Sequence, residues 1–288
     1  RGLSLMQVAD LVKGPVTPLA FSLDGYIVTD PVRDDPVVAL LESRSIPYVT
    51  LGRDPGKPDA SNWVASDDAD ATLQALTHLA DEGARSIAFV GGQDDNSWNA
   101  DAESAYRDWC ARTGQPERMF RLGEGRGEDG GRELVPSLIA DGVPDAIYSL
   151  TGRHAAGIQD GMRERGLEAP DDYLLACGTD ADQTRTAHPP ITAINLRPEL
   201  LARDTVGLLA SITRGEKLMK PAPRSGSITM TCAMRNVASP SSRGSPIFSC
   251  SASSTADSTH TVPASGARAT DSSGVPAPLL RRSRPRSG

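Results

Sequence analysis

The stretch that decides the fold is SDDADATLQALTHLADEGARSIAFVGG, residues 66–92. Its opening Ser-Asp pair is suited to cap a helix N-terminus, because a side-chain oxygen at that position accepts backbone N–H bonds. Apolar residues then recur at helical spacing as far as Leu79, and Gly83 supplies the residue that readily adopts a positive φ at a helix end. The apolar run at 86–90 reads as a buried strand, and two glycines lead out of it. The stretch therefore predicts one helix–strand unit of an α/β fold.

The same alternation extends outward from this unit along the chain. Strands are predicted at residues 3–8, 25–29, 48–51, 63–65, 86–90, 146–150, 173–177, 191–195 and 228–231. Helices are predicted at about residues 35–44, 68–82, 99–113, 130–140, 153–165 and 198–214. Such alternation implies right-handed crossovers and parallel sheets with helices on both faces.

We therefore expect an α/β protein whose residues 1–238 form two similar lobes with parallel sheets flanked by helices. The first lobe is expected at about 1–93 and 197–216, and the second at about 94–193 and 227–236, with three chain crossings between them. Residues 239–288 consist mainly of Ser, Pro, Ala, Gly and Arg and contain no Lys or Glu. Because such a segment buries too little apolar surface to offset its ordering entropy, we expect a disordered tail, either native or translated out of frame.

Charge and composition exclude several classes of protein. The net charge is −7, which makes the chain a poor non-specific partner for DNA phosphates. No apolar run approaches the roughly 18 residues of a membrane span, and the N-terminus shows no export signal. The four cysteines form no C-x-x-C pair and have no histidine at metal-ligand spacing, so we expect reduced thiols in a cytoplasmic protein and no metal site.

Motifs for catalysis are absent from the sequence. There is neither a Gly-x-Ser-x-Gly elbow nor a phosphate-binding P-loop. The glycine-rich stretch at 123–127 does not directly follow a long strand and open a helix, so we interpret it as a flexible loop. We therefore expect no enzymatic activity and no cofactor.

Six phrases, in order along the chain, resemble the LacI/GalR family of transcription regulators. They are DGYIV at 24–28, the stretch at 66–92, AYRDW at 105–109, MRERGL at 162–167 followed by PDD at 170–172, GTD at 178–180 and PPITAI at 189–194. Together they cover about residues 1–235. The resemblance implies a periplasmic-binding-protein type I fold and a ligand-sensing role in a transcriptional regulator.

The resemblance also implies a ligand cleft between the lobes and five candidate ligand-binding residues. Asp180 matches an effector-contacting acid and is the strongest candidate, with a turn-capping role as its alternative. Trp98 would stack on a ring or serve as a core aromatic, and Arg126 would clamp a carboxylate or phosphate or lie on a surface loop. Asp70 stands where some members have a cleft-facing acid, although it also fits a solvated helix face. Thr151 begins the position of the family's Asn-Asp pair.

Two departures from the family pattern put a simple sugar effector in doubt. Ala102 stands where the family has the arginine that grips the effector, and Thr151-Gly152 replaces its Asn-Asp pair. Losing such polar groups costs roughly 1–3 kcal/mol each in binding free energy. A sugar-like molecule, another metabolite and a degenerate site all remain open as interpretations.

The sequence shows no counterpart of the family's helix-turn-helix or hinge helix, nor of the first strand and helix of its sensor domain. We therefore expect a chain truncated at its N-terminus, which would contact operator DNA only through the missing domain. It is further expected to be a cytoplasmic homodimer with no membrane contact. A solute-binding receptor of a sugar transporter is the main alternative, and a fragment without present function is a third.

Overall fold

The computed structural model describes residues 4–8 and 22–216. The predicted strand at 228–231, the part of the second lobe at 227–236 and the predicted tail at 239–288 lie outside the described residues. Within residues 22–216, strands alternate with helices and form two parallel sheets, which confirms the α/β prediction. Each sheet with its helices is described below as one lobe.

The first lobe contains the smaller sheet. Its three strands are hydrogen-bonded in the order β1-β2-β3, and they and their two helices are β1 (Tyr26–Thr29), β2 (Tyr48–Leu51), β3 (Trp63–Val64), α1 (Pro36–Ser43) and α7 (Pro198–Thr213). Asp35 caps the N-terminus of α1, where its side chain accepts bonds from the N–H groups of Val37 and Val38. Helix α7 returns from the second lobe to pack on all three strands. Gly25 permits this close approach, since a Cβ there would lie 2.8 Å from the side chain of Leu209.

The second lobe contains a five-stranded parallel sheet in the order β5-β4-β6-β7-β8. The strands are β4 (Ile87–Gly91), β5 (Met119–Arg121), β6 (Ala146–Ser149), β7 (Leu174–Cys177) and β8 (Thr192–Ala193). The helices are α2 (Asp68–Asp81), α3 (Ser97–Thr113), α4 (Gly127–Leu138), α5 (Gly152–Arg163) and α6 (Asp182–Thr186).

Strand β4 shows why this sheet has helices on both faces. Its side chains alternate between two buried clusters, because successive residues of a strand point to opposite faces. Ile87 and Phe89 pack in the cluster that includes residues of α2 and α3, and the Phe89 ring stacks on that of Tyr106 with centroids 5.1 Å apart. Ala88 and Val90 pack in the other cluster, with residues of α4 and α5. The continuous apolar run of this strand is thus explained by burial on both sides.

Helices α4 and α5 pack backbone against backbone. A Cβ added at Gly157 would lie 1.9 Å from the carbonyl oxygen of Glu128, and one at Gly131 would lie 2.4 Å from that of His154. Only residues without a Cβ fit at these two positions. The glycines of the two helices are therefore packing residues, although glycine lowers the intrinsic stability of a helix.

The boundary between the lobes differs from the predicted one at residue 93. Strand β4 pairs with β5 on one side and β6 on the other, and α2 packs on β6 and β7, so both elements belong to the second lobe. The chain therefore enters that lobe close to residue 66. Periodicity identified the helix–strand unit correctly, but the sheet that a strand joins depends on its partners far along the chain.

Three local predictions were also wrong. Residues 4–8 form no strand, and Leu5 is almost fully exposed. The supposed flexible loop at 123–127 contains a 3-10 turn at Glu124–Arg126, and α4 begins directly at Gly127. Strand β5 and helix α6 were not predicted, because three and five residues are too few to show a periodic pattern.

Candidate functional site

The two lobes face each other with the carboxyl ends of their strands. The N–H of Arg33, after β1, donates to the carbonyl oxygen of Asp95, after β4, at 2.7 Å. The N–H of Arg53, after β2, donates to the Ser97 hydroxyl at 3.0 Å. Open α/β sheets bind ligands in the crevice at the carboxyl ends of their strands. The space between these loops, called the crevice below, is therefore the candidate site.

All five residues predicted from the sequence lie at one edge of the second sheet. Arg126, Trp98, Thr151 and Asp180 follow β5, β4, β6 and β7, which are neighbours in the sheet. Asp70 lies in the first turn of α2, and this helix must begin at the same edge because it leads back to the start of β4. The structure thus brings the five residues to the edge that borders the crevice, while their contact with a ligand stays a prediction.

Asp180 is held in a fixed orientation by an arginine. Its two carboxylate oxygens accept bonds from Nε and Nη2 of Arg185 at 2.8 and 2.9 Å, and its N–H donates to the carbonyl of Ile194 at 2.8 Å. Each carboxylate oxygen has a second lone pair, so the group still accepts hydroxyl bonds beside the arginine. A ligand hydroxyl that binds Asp180 would therefore share the carboxylate with Arg185.

The other four candidates already have partners within their own lobe. Asp70 accepts a bond from the Gln74 amide at 2.6 Å, and Arg126 pairs with Glu133 on the surface. Trp98 packs partly buried against the core cluster on the α2–α3 side. Thr151 caps α5, where its hydroxyl accepts the N–H of His154 at 3.4 Å. These contacts fit structural roles and leave a ligand role for each residue untested.

The departures from the family pattern have a packing explanation. Ala102, which replaces the effector-gripping arginine, is fully buried in the core cluster of the second lobe. Gly152, at the second position of the missing Asn-Asp pair, has so little room that a Cβ there would lie 3.0 Å from the Cβ of Ala181. Neighbouring protein atoms thus fill the space at both positions. The residues on either side of Ala102 in α3, Asp101 and Glu103, are both acidic.

Sequence reasoning missed the charged residues that the first lobe contributes. The guanidinium of Arg53 pairs with Asp101 across the crevice and lies 6.0 Å from the ring centroid of Trp63, within range of a cation–π contact. Asp30 directly follows β1. Desolvation is the main cause that raises the pKa of its carboxyl group, and the negative charge of Glu124 raises it further. A search for polar residues directly after the predicted strands at 25–29 and 48–51 would have found Asp30 and Arg53.

Asp68 is the most perturbed acid of the crevice. Its side chain is 6% exposed, and burial raises its pKa to about 6 from an ordinary value of 3.8. The hydroxyl of Ser66, which donates to Asp68 at 2.5 Å, opposes this shift, whereas the charges of Asp101 and Asp30 add to it. Asp68 was interpreted from sequence only as part of a helix start. It is instead an acid that folding buries among other acids, at a cost in free energy.

Within the described ranges, neither the cysteines, nor a metal-ligand cluster, nor a membrane-spanning helix points to a further site. Cys110 and Cys177 are free and buried, and burial raises the pKa of the Cys177 thiol to about 11. Residues 4–8 and 22–216 contain no group of three or more His, Cys, Asp or Glu side chains placed to hold a metal ion. No helix in that part of the chain is long and apolar enough to cross a membrane.

Comparison with known proteins identifies the family. Residues 76–229 match the model of the periplasmic binding protein-like domain. The chain is 26% identical over 197 residues to the HTH-type transcriptional regulator CelR of Thermobifida fusca, a match that covers 67% of this chain and 58% of that regulator.

Two solved structures share the fold. A regulatory protein of the LacI family from Chloroflexus aggregans has a TM-score of 0.65 at 25% identity, over 73% of this chain and 76% of that one. A complex of transcriptional regulator CelR with cellobiose has a TM-score of 0.66 at 23% identity, over 73% and 65% of the two chains. The chain therefore belongs to the periplasmic binding protein-like domain family, and it is an effector-binding domain of the kind found in LacI-type transcriptional regulators.

Proposed function

We propose that the crevice binds a small hydroxylated metabolite and that this chain is the sensing part of a transcriptional regulator. The observation that carries the proposal is the convergence of charged residues from both lobes: Asp30 and Arg53 from the first, Asp68 and Asp101 from the second. Perturbed acids that converge in a cleft are typical of functional sites. Ligand binding between two lobes would favour their closure by the difference in affinity between the open and closed states.

The regulatory role is supported by the relatives. The first two curated proteins that match are named an HTH-type transcriptional regulator and an HTH-type transcriptional repressor, and the chain spans 58% and 59% of them. We therefore propose that the whole protein binds operator DNA through a segment other than the residues described here. In keeping with such a role, we further propose a cytoplasmic homodimer without catalytic activity.

The class of ligand is inferred from the crevice itself. One relative of the same fold has been solved with cellobiose. Carboxylates such as Asp68 and Asp180 accept bonds from sugar hydroxyls, which supports a polyhydroxylated ligand here as well. Ala102 and Thr151-Gly152 replace the arginine and the Asn-Asp pair that the family would use, so the ligand contacts of those lost groups must be made differently here. We propose that the chain selects a sugar-like metabolite by the acids of the crevice.

A solute-binding receptor of a transporter would share this fold. The names of the relatives favour the regulator, because CelR is named a transcriptional regulator and MelR a transcriptional repressor. The two functions differ in their output. A regulator changes its affinity for DNA when the ligand binds, whereas a receptor delivers its ligand to a membrane partner.

The test is a thermal-shift screen of the full chain with cellobiose, other disaccharides, monosaccharides and sugar phosphates. A ligand at 100 times its Kd stabilises the folded state by about 2.7 kcal/mol, which corresponds to a Tm increase of roughly 5–10 °C at this size. We expect at least one neutral sugar to raise the Tm in this way and Asp68→Asn to weaken the effect. If no compound of the panel raises the Tm, or if the variant responds like the parent, the proposed ligand class is wrong.

A further inference from the structure

Two ion pairs join the lobes across the crevice. Nε of Arg33 lies 2.7 Å from a carboxylate oxygen of Asp95, and Arg53 pairs with Asp101. Both arginines follow strands of the first sheet, and both aspartates lie in or just before α3 of the second lobe. The two pairs therefore act between the lobes, unlike Arg132–Glu164, which joins α4 to α5 within the second lobe.

Backbone contacts accompany the same two pairs. The N–H of Arg33 donates to the Asp95 carbonyl, and Val32 forms an antiparallel bridge with Asn96. The N–H of Arg53 donates to the hydroxyl of Ser97, the first residue of α3. In each arginine, both the side chain and the backbone N–H thus contact the other lobe. The exchange rate of that amide hydrogen therefore depends on contact between the lobes.

We propose that Arg33–Asp95 and Arg53–Asp101 form an interlobe latch, which holds the crevice shut before a ligand binds and sets the fraction of open molecules. Four partly exposed side chains make up the latch, and exposed ion pairs of this kind contribute little individually. The latch is therefore weak enough to open reversibly. Its strength depends on ionic strength, because exposed charges are screened by salt.

Arg53 couples the latch to the crevice. Its guanidinium lies near the face of Trp63, which restricts its position, and its charge acts on Asp68. A molecule that approaches Asp68 therefore also meets the field of Arg53. Because one residue serves both interactions, ligand binding and latch closure are linked thermodynamically. The latch itself does not depend on the identity of the ligand.

Hydrogen exchange of the two reporter amides tests the latch on the full chain without ligand. In the variant D95N/D101N, we expect the amides of Arg33 and Arg53 to exchange about threefold to tenfold faster, as the loss of two weak ion pairs implies. The amides of Thr50 and Phe89 serve as references, because they donate to Asn62 and Arg118 within their own sheets. Opening of the crevice leaves these two unchanged, whereas unfolding of a lobe accelerates them.

A matched control and a salt series complete the experiment. E164Q removes an ion pair of similar exposure within the second lobe and should leave the Arg33 and Arg53 amides at parental rates. Raising sodium chloride to about 1 M, where the screening length is roughly 3 Å, should accelerate the two reporter amides in the parent and add little in D95N/D101N. Parental exchange of both reporters in D95N/D101N and at high salt would overturn the proposal. Equal acceleration of the Thr50 and Phe89 references would overturn it as well.

Discussion

Burial of Asp68 in the crevice lowers the stability of the folded chain when the carboxyl group is ionised. Its pKa is raised to about 6 by burial, so the folded chain binds a proton at this position more tightly than the unfolded chain does. The stabilisation that the protonated group provides is complete below its ordinary value of 3.8 and is lost as the pH rises through about 6. At neutral pH the ionised carboxylate therefore destabilises the unliganded fold.

Replacing Asp68 with Asn should stabilise the unliganded chain at pH 7.5. The expected gain in the free energy of unfolding is roughly 1–3 kcal/mol, because a pKa shift of one unit corresponds to 1.36 kcal/mol. The difference from the parent should shrink as the pH falls towards 4. Urea titrations of both proteins between pH 4 and 8 measure it, and a variant that is less stable than the parent at pH 7.5 would contradict the assignment.

Asp180 is expected to contact the ligand although Arg185 already binds its carboxylate. Asp180→Ala should weaken binding of a metabolite identified in the thermal-shift screen by roughly 5- to 30-fold, the effect of losing about 1–2 kcal/mol of charge-assisted hydrogen bonds. Asp182→Ala is the matched control, since Asp182 also faces Arg185 but is 92% exposed. Calorimetric titration that gives the same Kd for Asp180→Ala and the parent would make Asp180 a turn residue only.

The family resemblance pointed to Asp180 and Thr151, and in the structure both follow apolar strands of the second sheet. Their contact with a ligand stays a prediction. The burial of Asp68 and the pairing of Arg53 with Asp101 depend on contacts between segments that are far apart in sequence or on opposite lobes. The spacing of residues along the sequence does not reveal such contacts. The charged residues of the first lobe, Asp30 and Arg53, were therefore not predicted.

At the scale of elements, the contact between α4 and α5, called the α4–α5 seam, tolerates the least change, because it leaves no room for a Cβ at Gly131 or Gly157. Gly157→Ala would bring a methyl group to 1.9 Å from the Glu128 carbonyl oxygen, so the helices must separate. We expect a loss of roughly 1–3 kcal/mol in the free energy of unfolding, the usual cost of overpacking. Gly207→Ala is the contrasting variant, because nothing lies within 4 Å of its added Cβ in α7.

The same pair of variants separates packing from helix propensity. Gly207→Ala should stabilise the chain by about 0.4–1 kcal/mol, because alanine restricts the unfolded chain more than glycine does. Thermal unfolding of the two variants therefore should shift the Tm in opposite directions. A Gly157→Ala chain that is as stable as the Gly207→Ala chain would show that the two helices are not packed as closely as described.

Element boundaries were predictable where apolar periodicity was long. Helix α2 was expected at 68–82 and spans Asp68–Asp81, ending before Gly83 with its φ of +99°. Strand β5 has three residues of which the last is an exposed arginine, so its sequence resembles a loop. It forms a strand because its backbone pairs with β4. This pairing depends on the sheet and is not visible in the residues of β5 alone.

At the scale of the whole molecule, the proposed ligand site depends on two lobes that meet at a crevice. The sequence predicted two lobes but assigned residues 66–93 to the wrong one, since consecutive helix–strand units look alike whichever sheet they join. The corrected boundary places the start of α2 at the passage between the lobes. Asp68 then lies close to a point at which the chain passes from one lobe to the other.

The most direct test of the account is hydrogen exchange of the full chain with and without the metabolite that raises the Tm most. We predict slower exchange in the segments that border the crevice, at residues 30–35, 52–54, 92–101 and 150–152. The α4–α5 seam around Gly131 and Gly157 should be unaffected beyond the general stabilisation of the fold. Protection confined to that seam, with unchanged exchange in the crevice segments, would contradict the claim that ligand binds between the lobes.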